Sequence, residues 1–205
     1  MMKTEDKKNH VEEPVSLYSE HYTYADYLNF DFEEMVELIR GKIFKMSPAP
    51  SSNHQRIVSN LHFEVRKLFN KKNCELFIAP FDVILPVENK KKNQSNTVVQ
   101  PDLCIICDAS KIEKAGCFGA PDLVIEIISP YTSKKDLEYK YSVYEESGVQ
   151  EYWIVMPEVE AVMIYVLENG KYQKFKAFGK EDELYSSIFP ELKVKLQDVF
   201  PEQVD

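Results

Sequence analysis

A strand, a helix and a second strand follow one another in the C-terminal half of the chain, and this pattern constrains the fold most. The first strand is the nearly unbroken apolar run at residues 123–128, LVIEII, and the second is YWIVM at 152–156. The segment between them predicts a helix over 133–146 that ends at Gly148. Strands that are apolar on both faces and joined by a helix are typical of a buried parallel pair. The sequence therefore predicts an α/β or mixed fold.

The N-terminal half adds a short helix, a hairpin and a long helix. Thr23 precedes an apolar stripe at helical spacing and predicts a helix N-cap. The string VELIRGKIFKM, which starts at Val36, alternates with period two around Gly41, so it predicts a hairpin with Glu37 on its first strand. Apolar residues recur at helical spacing over 52–69, which predicts an amphipathic helix packed on a sheet.

Further strands complete the predicted sheet. The runs 76–85 and 98–107 predict antiparallel neighbours, separated by the polar loop ENKKKNQSN. The runs 161–167 and 172–178 flank an Asn-Gly pair and predict a hairpin that extends or covers the sheet.

Length and composition bound the class of protein. A chain of 205 residues fits one domain, and we predict a flexible tail at 1–15 followed by a single domain at 16–205. No apolar run approaches the roughly 18–20 residues of a membrane-spanning helix, and the first 13 residues are charged rather than apolar. We therefore expect a cytoplasmic protein with no membrane association.

The charge balance limits how the chain can bind a polyanion. The net charge is -9 at pH 7, which argues against broad electrostatic affinity for nucleic acid, so any such site must be local. An acidic excess also arises where carboxylates collect to hold a divalent cation.

Four cysteines are present, and no secretory signal precedes them. We expect reduced and mostly buried thiols rather than a disulfide scaffold. Cys104 and Cys107 have an odd spacing within a predicted strand, which points their side chains to opposite faces, and no second pair stands at zinc-site spacing.

Glu126 is the most anomalous residue, because it interrupts an apolar strand that should be buried on both faces. A buried carboxylate costs several kcal/mol unless a metal, a base or several donors satisfy it. We favour a functional role. The alternative is a strand-end glutamate that lies in solvent or pairs with an arginine.

Asp102 follows Pro101 at the start of another apolar run, and a proline there indicates a strand edge or a bulge. Alone, it is also an ordinary turn residue. Together with Glu126 it is more informative, because two carboxylates that converge at one end of a sheet suit Mg²⁺, with water and a substrate phosphate completing the octahedron.

Lys140 lies on the predicted helix after this strand, four residues from Asp136 and four from Tyr144, so all three share one helix face. An ion pair with Asp136 on the surface would explain the lysine without any function. A lysine beside a carboxylate pair could instead orient a water or neutralise charge in phosphoryl transfer.

The strings VVQPDLCII and GAPDLVIEIISPYTSKKDLEYKYSVYEESGVQEYWIVMPE resemble the Uma family (Uma-two) of restriction endonucleases, within the PD-(D/E)XK nuclease superfamily. The resemblance runs from about residue 23 to 200 and includes VELIRGKIFKMSPAP, HQRI and APFDVIL. It implies a restriction-endonuclease-like mixed central sheet flanked by helices, with a divalent-metal active site.

The resemblance assigns roles to residues of this chain. The proline-aspartate of the family matches Asp102, its strand glutamate matches Glu126, and its helical lysine matches Lys140. Its early glutamate matches Glu37, which would add a third carboxylate, although an exposed strand residue is an equal alternative. The superfamily places a lysine two residues after the second acid, where this chain has Ile128, so Lys140 is a displaced lysine.

His54 stands near the start of the long helix and could contact water or phosphate, although an ordinary helix-end histidine is the simpler interpretation. The chain has no GxGxxG, no Walker-type GxxxxGK and no GxSxG, so dinucleotide, P-loop and serine-hydrolase chemistry have no support.

The hypothesis is a metal-dependent endonuclease that hydrolyses phosphodiester bonds of DNA. Asp102 and Glu126 would ligate Mg²⁺ or Mn²⁺, and Lys140 would stabilise the charge of the transition state. The rival is a catalytically weak or silent nuclease-fold module that binds nucleic acid or a protein partner, and a third candidate is a structural or assembly protein. A homodimer stays open.

Overall fold

A computed structural model of the protein describes residues 21–46, 50–69, 73–86, 91–129 and 135–201, so the predicted tail at 1–15 lies outside the described residues. The α-helices are α1 (Tyr24–Tyr27), α2 (Ser52–Phe69) and α3 (Tyr141–Ser147). The strands are β1 (Val36–Ile39), β2 (Lys42–Lys45), β3 (Glu75–Ile78), β4 (Val83–Ile84), β5 (Val98–Val99), β6 (Leu103–Ile106), β7 (Ile112–Glu113), β8 (Gly116–Phe118), β9 (Leu123–Ile127), β10 (Glu151–Met156), β11 (Ala161–Glu168), β12 (Lys171–Gly179), β13 (Glu183–Tyr185) and β14 (Lys193–Lys195). Across the described ranges, none of the helices has the length and apolar character to cross a membrane.

The central sheet is mixed, as predicted. Its strand order is β12-β11-β10-β9-β6-β3, in which β9 and β10 are parallel and the other neighbours are antiparallel. The connection from β9 to β10 contains a π-helical segment, Lys135–Lys140, which continues directly into α3. Helix α3 ends at Gly148, whose φ is 93°. The predicted βαβ unit is confirmed, and the hairpin of β11 and β12 extends the sheet.

Helices cover the central sheet on both faces. On one face, α2 packs its buried residues Ile57, Leu61 and Val65 against the face of β9 that carries Ile125. On the other face, Val143 of α3 packs in the same cluster as the β9 residue Val124. This confirms the predicted α/β class.

A second six-stranded sheet packs on the α3 side, which the sequence did not predict. Its strand order is β2-β1-β5-β4-β8-β7, and its residues Ile39 and Val99 share a core cluster with Val124. Its first hairpin turns at Arg40 and Gly41, with φ of 51° and 78°. Two successive positive φ angles are those of a type I′ turn, which explains the glycine. The predicted hairpin is therefore confirmed.

The two long strands predicted at 76–85 and 98–107 each divide into two. β3 pairs with β6 in the central sheet, whereas β4 pairs with β5 in the second sheet. The breaks contain Pro80 and Pro101, which have no backbone N–H to donate to a ladder. The predicted antiparallel pairing of the two runs is thus confirmed. Because each run breaks near its proline, its two halves belong to different sheets.

The expectation of four reduced thiols is wrong for Cys74 and Cys107, which form a disulfide. The β3–β6 ladder pairs Glu75 with Ile106, so the two cysteines occupy the next opposite positions of the same ladder. That juxtaposition depends on the strand register, which the cysteine spacing does not reveal. Cys104 and Cys117 are free and buried.

Candidate active site

Glu126 lies on β9, where every strand residue is buried. Side chains alternate along a strand, so Glu126 shares the face of Val124 and points toward α3. Its Oε1 accepts hydrogen bonds from Lys140 Nζ at 2.8 Å and from the Tyr144 hydroxyl at 2.7 Å. The buried carboxylate is thus satisfied by a base and a donor from one helical connection, as its position in an apolar strand requires.

Lys140 connects the two sheets. It stands where the π-helical segment meets α3, and its Nζ lies 2.9 Å from Glu37 Oε1 as well as 2.8 Å from Glu126 Oε1. About 4% of the lysine side chain is exposed. π-helical segments inside helices occur often at functional sites. A buried ammonium is costly to desolvate, and the two carboxylates that contact it offset that cost.

Glu37 on β1 is fully buried, so the alternative of an exposed strand residue is wrong. Its Oε1 accepts a hydrogen bond from the backbone N–H of Gln100 at 2.8 Å in addition to the Lys140 contact. Because Gln100 directly precedes the Pro101–Asp102 pair, this bond ties the second sheet to the segment that carries Asp102.

Asp102 stands at the entrance of β6. Leu103 pairs with Ile125, so Asp102 and Glu126 occupy the next opposite positions along the two strands. Asp102 Oδ2 accepts a hydrogen bond from the backbone N–H of Ile127 at 2.7 Å. Its carboxylate therefore caps the end of β9 directly beside the Glu126 position.

His54 joins Asp102 from the other side. Its Nε2 lies 3.4 Å from Asp102 Oδ1, and both side chains are mostly buried. The histidine belongs to the first turn of α2, where the Ser51 hydroxyl accepts a hydrogen bond from the His54 backbone N–H at 3.2 Å. The residue is therefore part of the Asp102 environment rather than a free helix-end histidine.

A second polar cluster continues from Gln100. Its side-chain Nε2 donates to Asp82 Oδ1 at 2.8 Å, and the Tyr27 hydroxyl donates to the same oxygen at 3.1 Å. Burial raises the pKa of Asp82, and the charge of Glu37 adds to the rise, whereas the hydrogen bonds from Gln100 and Tyr27 oppose it. This cluster fixes the orientation of the Gln100 amide.

Tyr144 stays protonated in this environment. Burial, followed by the charge of Glu126, holds the pKa of its hydroxyl well above the usual value. The hydroxyl is thus a dependable donor to Glu126 over the whole physiological pH range. It adds a neutral hydrogen bond to the charged one from Lys140.

The carboxylates supply the oxygen ligands that Mg²⁺ and Mn²⁺ prefer. Within the described ranges, no group of three or more His, Cys, Asp and Glu side chains is arranged to hold a metal ion. Mg²⁺ usually binds through one or two carboxylates and completes its octahedron with water and substrate phosphate. Asp102 and Glu126, at opposite positions of neighbouring strands, offer the two carboxylates of that pattern.

The structure brings three of the four candidate residues, Glu37, Glu126 and Lys140, into direct contact. Lys140 contacts both Glu37 and Glu126, and Asp102 bonds to the residue after Glu126. Ile128, which occupies the usual lysine position, is half-buried beyond the end of β9.

Two contributors were missed as site residues. The helical spacing places Tyr144 on the face of Lys140, but it assigns no role to the hydroxyl. Gln100 stands in the QPD string, yet a glutamine before a proline carries no signal of its own. Only the hydrogen bond from its backbone to Glu37 reveals it.

The fold is that of a nuclease-like α/β protein. Among solved structures, the chain is similar to a protein from Anabaena variabilis ATCC 29413 described as a "putative nuclease belonging to DUF820". The TM-score is 0.69 and the identity 21%, over 87% of this chain and 97% of that one. A comparison with curated proteins finds no match.

A comparison with models of protein families identifies the family of this chain. Residues 22–197 match the family Uma2, described as "Putative restriction endonuclease". The match covers most of the chain, and the chain belongs to the Uma2 family. This agrees with the resemblance seen in the sequence.

Proposed function

We propose that this protein is a metal-dependent endonuclease that hydrolyses phosphodiester bonds of DNA. The observation that carries the proposal is the buried contact of Lys140 with Glu126 and Glu37, beside Asp102, in a chain of this family. These are the residue types that phosphoryl transfer uses for metal binding and charge stabilisation.

Asp102 and Glu126 would hold the metal, which would be Mg²⁺ or Mn²⁺. When bound, the ion supplies an activated water and neutralises charge on the scissile phosphate. Each carboxylate offers about four lone-pair sites, so the hydrogen bonds from Ile127, Lys140 and Tyr144 leave acceptor capacity on both. Three carboxylates against one ammonium also leave an excess of negative charge that favours a cation.

Lys140 has two roles in this proposal. Its ammonium holds Glu37 and Glu126 in place, and it is a fixed positive charge near the position of the phosphate. Tyr144 and Gln100 act as positioning residues, because they fix Glu126 and Glu37 through hydrogen bonds. The assignment of a displaced lysine to Lys140 comes from the resemblance to the family, and this contact supports it.

A catalytically silent nuclease-fold module is the second candidate. The observation that favours it is the double engagement of Lys140 by two carboxylates, together with Ile128 at the usual lysine position. In that case the ammonium acts as a permanent counter-ion, and the fold binds nucleic acid or a protein partner without cleaving.

A cleavage assay separates the two candidates. The purified protein is incubated with single-stranded and duplex DNA in Mg²⁺ or Mn²⁺ at low and moderate salt, beside Glu126→Gln, Lys140→Ala and the exposed control Glu158→Gln. We expect cleavage by the wild type and the control, none by Glu126→Gln, and a loss of about two to three orders of magnitude for Lys140→Ala. Equal cleavage by all four proteins would identify a contaminant, and no cleavage by any would favour the silent module.

A further inference from the structure

A groove of about 310 Å³ opens beside the candidate active site. Its lining includes the aromatic rings of Tyr27, Phe30 and Phe32 together with Met35 and Gln100. Its volume lies at the lower end of the range of about 300–1,000 Å³ that is typical of small-molecule pockets. The groove is therefore large enough for one planar ring system rather than for an extended chain.

The groove and the candidate active site share their walls. Val36, which lines the groove, directly precedes Glu37 on β1. Gln100 lines the groove, and its backbone N–H donates to Glu37 Oε1 at 2.8 Å. Gln100 thus connects the groove to Glu37, although the Glu37 carboxylate itself is fully buried behind it.

Gln100 presents an unused acceptor. Its side chain is 9% exposed, and Oε1 has no hydrogen-bond partner within the described part of the chain. The amide orientation is set by Nε2, which donates to Asp82 Oδ1 at 2.8 Å, so Oε1 cannot exchange places with Nε2 without losing that bond. A buried acceptor without a partner is costly and calls for a donor from a ligand.

The aromatic side chains form a cluster of mutually tilted rings, with interplanar angles of 54° for Phe30 and Phe32 and 67° for Tyr27 and Phe30. Phe30 contacts Phe32 with ring centroids 5.1 Å apart and Tyr27 at 5.9 Å. Phe32 and Met35 are 45% and 49% exposed, which is high for large apolar side chains. Exposed aromatic faces of this kind stack on nucleobases in proteins that bind single strands.

Two glutamates give the rim of the groove a negative charge, which limits the kind of ligand that can bind. Glu33 and Glu34 line the groove and are exposed, and Glu34 pairs with Lys45 at 3.0 Å. Carboxylates at the rim repel phosphate groups, so the groove favours a base over the phosphate groups of the strand that carries it. An uncharged ring with N–H donors on its edge suits both the rim and the Gln100 acceptor.

We propose that this groove binds an unpaired nucleobase of the substrate strand, stacked on Phe32 with an N–H donated to Gln100 Oε1. The inference rests on the proposed function and adds the substrate class. Every base presents N–H groups on its Watson–Crick edge, and pairing in a duplex occupies that edge. The substrate is therefore single-stranded DNA, or duplex DNA that contains an unpaired base.

The test measures binding without metal, so that cleavage does not interfere. Fluorescence anisotropy at low salt in EDTA compares three labelled DNA probes: a fully paired duplex, the same duplex with one unpaired base, and the single strand. We expect the two probes with unpaired bases to bind at least about tenfold more tightly than the paired duplex. Equal affinity for all three probes, or no binding to any, would overturn the inference.

Substitutions in the groove test whether the unpaired base binds there. Phe32→Ala should remove most of this preference, because alanine substitution at a base-stacking aromatic weakens binding by about tenfold. Gln100→Met keeps the backbone N–H to Glu37 and should reduce the preference as well. The matched control is Phe175→Ala, a comparably exposed phenylalanine on β12, which should behave as the wild type. An unchanged preference in Phe32→Ala contradicts the assignment.

A parallel cleavage assay with Mg²⁺ separates this inference from the proposed function. Equal cleavage of paired and unpaired probes, unaffected by Phe32→Ala, would refute the base site while the nuclease proposal stands. Selective binding that is lost in Phe32→Ala, without cleavage in any metal, would refute the nuclease proposal while the base site stands.

Discussion

The ammonium of Lys140 lies 2.8 Å from Oε1 of Glu126, and only about 4% of either side chain is exposed. This ion pair links the helical connection that follows β9 to β9 itself. Two well-packed apolar side chains often stabilise such a space as well as a buried ion pair does, so stability alone does not account for the contact.

Replacement of the ammonium should destabilise the protein strongly. Lys140→Met removes the positive charge that contacts Glu37 and Glu126 in a buried space. Breaking a buried pair from one side costs about 3–5 kcal/mol, because the remaining charge loses its compensation. The measurement is urea unfolding at pH 7, with the exposed Lys174→Met as control. A loss below about 1 kcal/mol would show that water reaches the pair.

Tyr144 and Glu126 should be energetically coupled. The hydroxyl of Tyr144 donates to Glu126 Oε1 at 2.7 Å, and a hydrogen bond to a charged group contributes about 1.5–3 kcal/mol. Unfolding of Tyr144→Phe, Glu126→Gln and the double variant gives a double-mutant cycle, in which we expect a coupling energy of about 0.5–3 kcal/mol. The control cycle uses Tyr185→Phe, and strictly additive effects at Tyr144 would refute the coupling.

Glu151 should make stability fall as the pH rises. Burial raises the pKa of this carboxyl above its usual value, although bonds from Trp153 and from the backbone of Ser187 and Ile188 oppose the rise. A raised pKa in the folded state means that the folded protein binds the proton more tightly than the unfolded chain. The contribution of Glu151 to the free energy of unfolding is therefore fully present below the pKa that its carboxyl has in the unfolded chain. It is lost as the pH rises through the pKa of the carboxyl in the folded protein.

Urea unfolding of the wild type and of Glu151→Gln at pH 4 and pH 7 checks this sign. The free energy of unfolding of the wild type, relative to that of the variant, should be lower at pH 7 than at pH 4. Groups that titrate elsewhere contribute equally to both proteins. If the free energy of unfolding of the wild type, relative to that of the variant, is higher at pH 7 than at pH 4, the hydrogen bonds lower the pKa of Glu151 more than burial raises it.

The strand and helix patterns of the sequence predicted much of this architecture. The apolar β9 and β10, the Gly41 turn and α2 all follow from local periodicity, which reports burial directly. Glu126 was found for the same reason, because a carboxylate in a buried strand contradicts its surroundings. Local patterns do not report which sheet a strand joins, so the second sheet could not be predicted.

Contacts that depend on tertiary register could not be found from the sequence either. Gln100 and Asp82 are 18 residues apart and meet only because β4 and β5 pair. The disulfide is a second example, since Cys74 and Cys107 become neighbours only through the β3–β6 ladder.

Removal of this disulfide should lower stability measurably. The bond joins cysteines 33 residues apart, and closing a loop of that size contributes about 2–4 kcal/mol. We expect that unfolding of a Cys74→Ser, Cys107→Ser double variant shows this loss. Thiol titration of the denatured, unreduced wild type should count two free thiols, Cys104 and Cys117, whereas a count of four would refute the bond.

The central claim is that Glu126 and Asp102 hold a divalent cation, and calorimetric titration with Mn²⁺ tests it most directly. We expect one bound ion in the wild type and in the control Glu158→Gln, and loss of binding in both Glu126→Gln and Asp102→Asn, with all four proteins folded. The contrary result would be a wild type that takes up no Mn²⁺, or a Glu126→Gln variant that binds it as tightly as the wild type.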